Sequence, residues 1–178
     1  MIFNIPVKHI AMTIVSFGLP FAVLMTIVNY LLDGHIQANS FLLNFFGFGL
    51  FMGVLTLFKQ KEDLHQLTKG KILPEHWQPL QEKQLHSSMS LTEVAENLKQ
   101  EKPFKNVKLQ KETGRITFKT NATVDSFFGQ KGCVEQIDFE NNHFTYRIQS
   151  RSFYFFDQMG IPLNLKNIQR ISALLSGK

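Results

Sequence analysis

The chain has 178 residues, 44% of them hydrophobic and 19% charged, with one cysteine and a net charge of +5. Lys8 and Asp33 are the only formal charges before residue 59, so the whole positive balance belongs to the remainder. That split excludes a uniform soluble globule and a disordered chain, and a single cysteine excludes an intramolecular disulfide framework.

Residues 10–32 form an uninterrupted uncharged run, and residues 41–58 form a second, Phe-rich one. A helix rises ~1.5 Å per residue, and ~20 apolar residues cross a bilayer. A cleaved signal peptide has a shorter apolar stretch, and a soluble core helix keeps a polar face. The two runs therefore predict a transmembrane hairpin over residues 1–58, turned at the polar stretch 33–40. The connecting stretch carries no Lys or Arg, whereas Lys59, Lys61, Lys69 and Lys71 follow the second run. The positive-inside rule then predicts a multi-pass protein of the inner membrane with both termini cytoplasmic.

Pro20 and Gly18 are expected to kink or loosen the first helix. Gly47, Gly49 and Gly53 are helix-packing candidates, because small residues let helix backbones approach closely. Two partners remain open for them: the first helix of the same hairpin, or another membrane protein or second copy of the chain. The spans contain no Asp, Glu, Lys, Arg or His between residues 10 and 32 or 41 and 58, which argues against an ion pathway.

Residues 59–89 lack clear periodicity and are expected to be a juxtamembrane connector. Its four lysines are lipid-contact candidates, each worth ~1 kcal/mol beside anionic lipid. Trp77, between Pro74 and Pro79, could meet the membrane interface, the folded domain or a partner. His65, His76 and His86 lie about ten residues apart with no close ligand pairs, so no metal site is expected.

A folded domain is expected over residues 90–178. Ser90 and Glu93 form a capping-box pattern, and Leu91, Val94, Ala95 and Leu98 follow at helical spacing up to Pro103. The period then changes to two. Val107 and Leu109 alternate with lysines, Glu112-Thr113-Gly114 turns, and Ile116 and Phe118 alternate with Arg115, Thr117 and Lys119. Phe127 and Phe128 would plug a connection. Cys133, Glu135, Ile137 and Phe139 are expected on one face, followed by a turn at 140–142 and by Phe144, Tyr146 and Ile148 on the next strand. Residues 152–156 could add an edge strand. A helix capped by Asn164 carries Leu165, Ile168, Ile171 and Leu175 inward. The fold class is thus α+β: four to five antiparallel strands flanked by an N-terminal and a C-terminal helix.

No phosphate loop, dinucleotide fingerprint, nucleophile elbow or zinc-protease motif is present, so no catalytic residue and no cofactor is expected. Cys133 could use His143 only if the two strands brought them together; an inert buried thiol is the competing reading. Arg147, Arg151 and Lys119 are expected to line one sheet face with Tyr146 or Tyr154. That face could meet anionic headgroups; nucleic acid is not expected, the charges being few and the domain tethered. Arg147, Arg151, Asp157 and Asn164 are the candidate ligand or interaction site. Loop closure by Asp157 and Asn164 is the structural alternative.

Residues 116–120 and 146–152, Asp157 with Gly160, and Asn164, Asn167, Ile168 and Ile171 resemble small uncharacterised bacterial membrane-anchored α+β domains. The resemblance implies an envelope protein and no particular activity. A looser resemblance links the sheet and C-terminal helix to pleckstrin-like domains, departing from them in the helix before the strands. These readings lead to a membrane-anchored interaction or regulatory module, with membrane lipid and another membrane protein or a second copy as partners. A lipid- or small-ligand-sensing domain is the second expectation, and an enzyme on a membrane substrate the third.

Overall fold

A computed structural model describes residues 5–123, 129–140, 143–153 and 160–177. It divides into two compact units, residues 1–77 and 78–178.

The first unit is a helical hairpin. Helices α1 (Val7–Asp33) and α2 (Ala38–Leu67) are both long and apolar enough to span a membrane. Pro20 lies inside α1 without ending it, and Gly34, at φ 72°, terminates the helix in the left-handed conformation. Asn29 donates to Ser40 at 3.1 Å across the turn. α2 continues nine residues past Phe58, so the charges from Lys59 onward mark a change of surface and not the end of the helix.

A short 3₁₀ turn, Pro74–Trp77, closes this unit. Trp77 is buried, its ring 5.1 Å from that of His9, and His9 shares a 2.8 Å hydrogen bond with Gln60. Of the three surroundings open to Trp77, the structure selects a fourth, the hairpin itself.

The second unit is α+β. Its sheet contains β1 (Leu80–Ser87), β2 (Phe104–Gln110), β3 (Arg115–Thr120), β4 (Gln130–Glu140) and β5 (His143–Ser152), all antiparallel, in the order β1-β5-β4-β3-β2. Helices α3 (Leu91–Gln100) and α4 (Ile161–Leu175) pack on one face. The capping box of α3 is complete: Ser90 N–H donates to Glu93 at 2.7 Å, and Glu93 N–H donates back to the Ser90 hydroxyl. The Ser90 hydroxyl also donates to the Glu93 carboxylate at 2.7 Å, and that bond, with the one from the Ser90 N–H, holds the carboxyl below its ordinary range.

Strand alternation sends Ile116, Phe118, Val134, Tyr146 and Ile148 to the helices. They meet Val94, Leu98, Ile168 and Ile171 in one core. Tyr146 donates its hydroxyl to Met89 O at 2.7 Å, and burial pushes its pKa up to about 12.

Three expectations change here. The segment read as connector contains β1, which pairs along its whole length with β5, so the compact unit begins at Gln78 and not at Ser90. α4 begins at Ile161 behind Gly160, so Asn164 lies inside the helix and does not cap it. A bulge at Gln136/Asp138 shifts the phase of β4. Cys133 and Glu135 therefore face away from the helices, while Phe139 sits opposite Phe144, its ring 4.4 Å away. Phe127, Phe128, the centre of the 140–142 turn, and residues 154–156 lie outside the described residues.

Candidate functional site

The face of the sheet turned away from α3 and α4 is the distinctive surface of the second unit. Its side chains come from the alternate positions of all five strands, and the registers order them in rows. One row runs Leu80, Arg151, Lys131, Lys119, Lys105. The next runs Glu82, Gln149, Cys133, Thr117, Lys108. A third runs Gln84, Arg147, Glu135, Arg115, Gln110.

The rows differ in their electrostatics. In the third, Arg147 Nε donates to Glu135 at 3.1 Å and a second guanidinium nitrogen reaches the same carboxylate. That pairing raises the Arg147 pKa above its ordinary value, the hydrogen bond contributing most. In the second row, Glu82 accepts from Gln149 at 2.7 Å. The first row has no such compensation: among the described residues, no carboxylate pairs with Arg151, Lys131, Lys119 or Lys105. Lys131 and Lys119 each place their ammonium 5.0 Å from the centre of the Phe153 ring, one lysine from either neighbouring strand.

The first row apart from Lys105 and the second apart from Glu82, with Arg115 and Asn106, line a cavity of about 610 Å³. Asn106 has φ 52° and occupies the bulge of β2, a conformation that asparagine tolerates better than most residues. Cys133 lies on the floor, 4% exposed. Arg115 donates to its sulfur at 3.1 Å, and that bond holds the guanidinium pKa above its ordinary value. His143 is six residues from Gln149, the strand partner of Cys133, or about 20 Å along β5. The strands therefore do not assemble a thiol–imidazole pair.

The sequence candidates separate. Arg151 lines the cavity, and Arg147 lies on the same face but is engaged by Glu135. Asn164 is fully buried on the opposite side, under α4. It accepts from Ser150 at 3.1 Å and donates to Pro79 O at 3.1 Å, a structural role. Asp157 lies outside the described residues. Tyr146, expected among the basic residues, is in the core. Lys105, Lys108, Arg115 and Lys131 join this face as well. Their convergence depends on registers and a bulge that periodicity alone does not specify.

In the hairpin, Gly49 and Gly53 face α1. A side-chain carbon built on Gly49 would lie 2.9 Å from Ile14 O and 3.0 Å from the Cα of Gly18; one on Gly53 would lie 3.1 Å from the Ile14 side chain. Gly47 has nothing within 4 Å. Lys59 pairs with Asp63 at 3.4 Å, and Lys69 and Lys71 follow the end of α2. Among the described residues, no three His, Cys, Asp or Glu side chains cluster to hold a metal.

No protein-family model, curated protein or solved structure matches the chain.

Proposed function

We propose that this chain is a membrane-anchored interaction module whose α+β unit receives an anionic partner on the uncovered face of its sheet. The observation that carries this reading is the asymmetry of the sheet. One face is filled by two helices, and the other presents, at a cavity, a row of cations that no carboxylate among the described residues pairs. The two apolar helices supply the anchor. The lysines after residue 58 and their absence from the 34–40 turn support an orientation with both ends in the cytoplasm of a bacterial cell. Lys59, Lys61, Lys69 and Lys71 would then lie near the headgroups and add lipid attraction.

The test is photo-crosslinking in native membranes. A benzophenone amino acid replaces Thr117 or Gln149 on the open face, and Glu96 or Lys166 on the exposed sides of the helices. Adducts are expected from Thr117 and Gln149 and not from the helix positions. Absence of adducts at the sheet positions, or equal yields at all four, overturns the reading.

A further inference from the structure

The cavity on the open face has a chemistry that narrows its occupant, provided that face is the receiving surface proposed above. Neighbouring strands lie ~4.8 Å apart, so Arg151, Lys131, Lys119 and Lys105 form a cationic line roughly 14 Å long, of which the first three line the cavity. Like charges directly opposite one another weaken a sheet. Four residues further along the same strands, Arg147 and Glu135 sit opposite each other and pair. The fold therefore neutralises the third row, while among the described residues no carboxylate pairs with the cations of the first.

Arg115 adds a second sign of an absent acceptor. Its Nε is buried and has no hydrogen-bond partner among the described residues. A buried donor without an acceptor is uncommon in folded proteins and calls for an explanation.

We propose that this cavity binds a ligand carrying two or more phosphate groups. A carboxylate brings one charge, whereas a phosphate monoester brings up to two and three acceptor oxygens. Arginine forks match phosphate oxygens in pairs, and lysines act as point charges between them. Thr117, Asn106 and Gln149 add hydrogen-bonding groups on the walls, and the volume lies within the usual range for small-molecule sites. The concavity suits a compact anion better than a flat bilayer surface. A single strand of nucleic acid would need an aromatic platform for its bases. Phe153, the aromatic ring beside this row, is already flanked by Lys119 and Lys131.

A soluble phosphorylated metabolite and the headgroup of a phosphorylated lipid share this chemistry. The experiment uses the full chain in nanodiscs of neutral phosphatidylcholine, with radiolabelled inorganic pyrophosphate in equilibrium dialysis. Saturable binding of one pyrophosphate per chain is expected, weakened at least tenfold in the Lys119→Gln/Lys131→Gln variant. The Lys166→Gln/Arg170→Gln variant, which removes the same charge from exposed positions of α4, is expected to bind as the parent does. Thermal melts of both variants establish that they fold. Absence of saturable binding, or equal weakening by both variants, overturns the proposal.

A second arm locates the source. Phosphatidic acid in the nanodisc that competes with pyrophosphate in the parent but not in the Lys166→Gln/Arg170→Gln control would overturn the assignment to the cationic row. Competition in both the parent and that control supports a lipid headgroup. Undiminished pyrophosphate binding in both supports a soluble ligand. Photo-adducts at Thr117 and Gln149 without pyrophosphate binding would remove the phosphate assignment and leave the interaction module standing. Loss of both results removes the reading on which it rests.

Discussion

The two faces of the sheet are built from the same five strands but solve different problems. The covered face buries Ile116, Phe118, Val134, Tyr146 and Ile148 against α3 and α4. Its few polar groups are largely matched: Ser150 and Asn164 bond to each other, and Tyr146 bonds to Met89 O. The open face has one row whose charges pair and one whose cations meet no carboxylate among the described residues. Apolar packing accounts for the first face without reference to a ligand. Stability does not account for the second, because an in-register line of cations opposes folding. A fold that tolerates such a line bears a cost that binding would offset, as functional sites commonly do.

The largest test of this contrast is Phe118→Ala. Phe118 is 2% exposed and sits edge-on to Phe104, ring centres 4.9 Å apart. Gly132 leaves room for it: a side-chain carbon there would collide with the Phe118 ring. Emptying this position is expected to cost about 3–5 kcal/mol. Denaturant-dependent amide exchange of β3 and β4, in the full chain in detergent, measures it. A loss below 1 kcal/mol would mean that the covered face is not the stabilising one.

A smaller effect on the same face comes from Tyr146. Its pKa, raised from an ordinary 10.0 to about 12, keeps the phenol neutral in the folded state when the unfolded chain would ionise. The tyrosine contribution is therefore complete below pH 10 and declines as pH rises from 10 towards 12. Tyr146→Phe is expected to remove that alkaline decline and to cost ~1 kcal/mol at neutral pH through the lost bond to Met89. An unchanged stability–pH profile between pH 9 and 12 would contradict the burial of the phenol.

Much of the covered face is legible in the sequence. The capping box at Ser90 and Glu93, the helical spacing of Leu91 to Leu98 and the alternation in β3 and β5 all follow from local chemistry. β1 is not legible in the same way. Gln81, Lys83, Leu85 and Ser87 take its inward positions, with one large apolar residue among them, so pairing with β5 makes the strand and hydrophobic alternation does not. Asn164 reads as a cap because asparagine favours that place, yet Gly160 and Pro162 begin the helix earlier and carry the amide beneath it. On the open face, Lys119, Arg147 and Arg151 share a strand phase and are visible as a set. Lys105 and Lys131 join them only through register. Cys133 leaves the phase of Phe139 only through the bulge at Gln136/Asp138.

The smallest expected effect has the opposite sign and separates the faces most sharply. Arg151 stands beside Lys131 and, among the described residues, has no carboxylate partner. Arg151→Gln removes one like-charge contact and retains a side chain able to lie along the strand. On the open face this is expected to stabilise the unit by about 0.2–1 kcal/mol at low ionic strength. The gain should shrink as salt is raised from 0.01 M to 1 M, because the screening length falls from roughly 30 Å to 3 Å. Matched melts of parent and variant across that range measure both the sign and its decay. Gln at Arg147 should behave differently, since it leaves Glu135 without its partner. If Arg151→Gln destabilised the unit at every salt concentration, the cationic row would be a structural element, and the contrast between the two faces would lose its functional meaning.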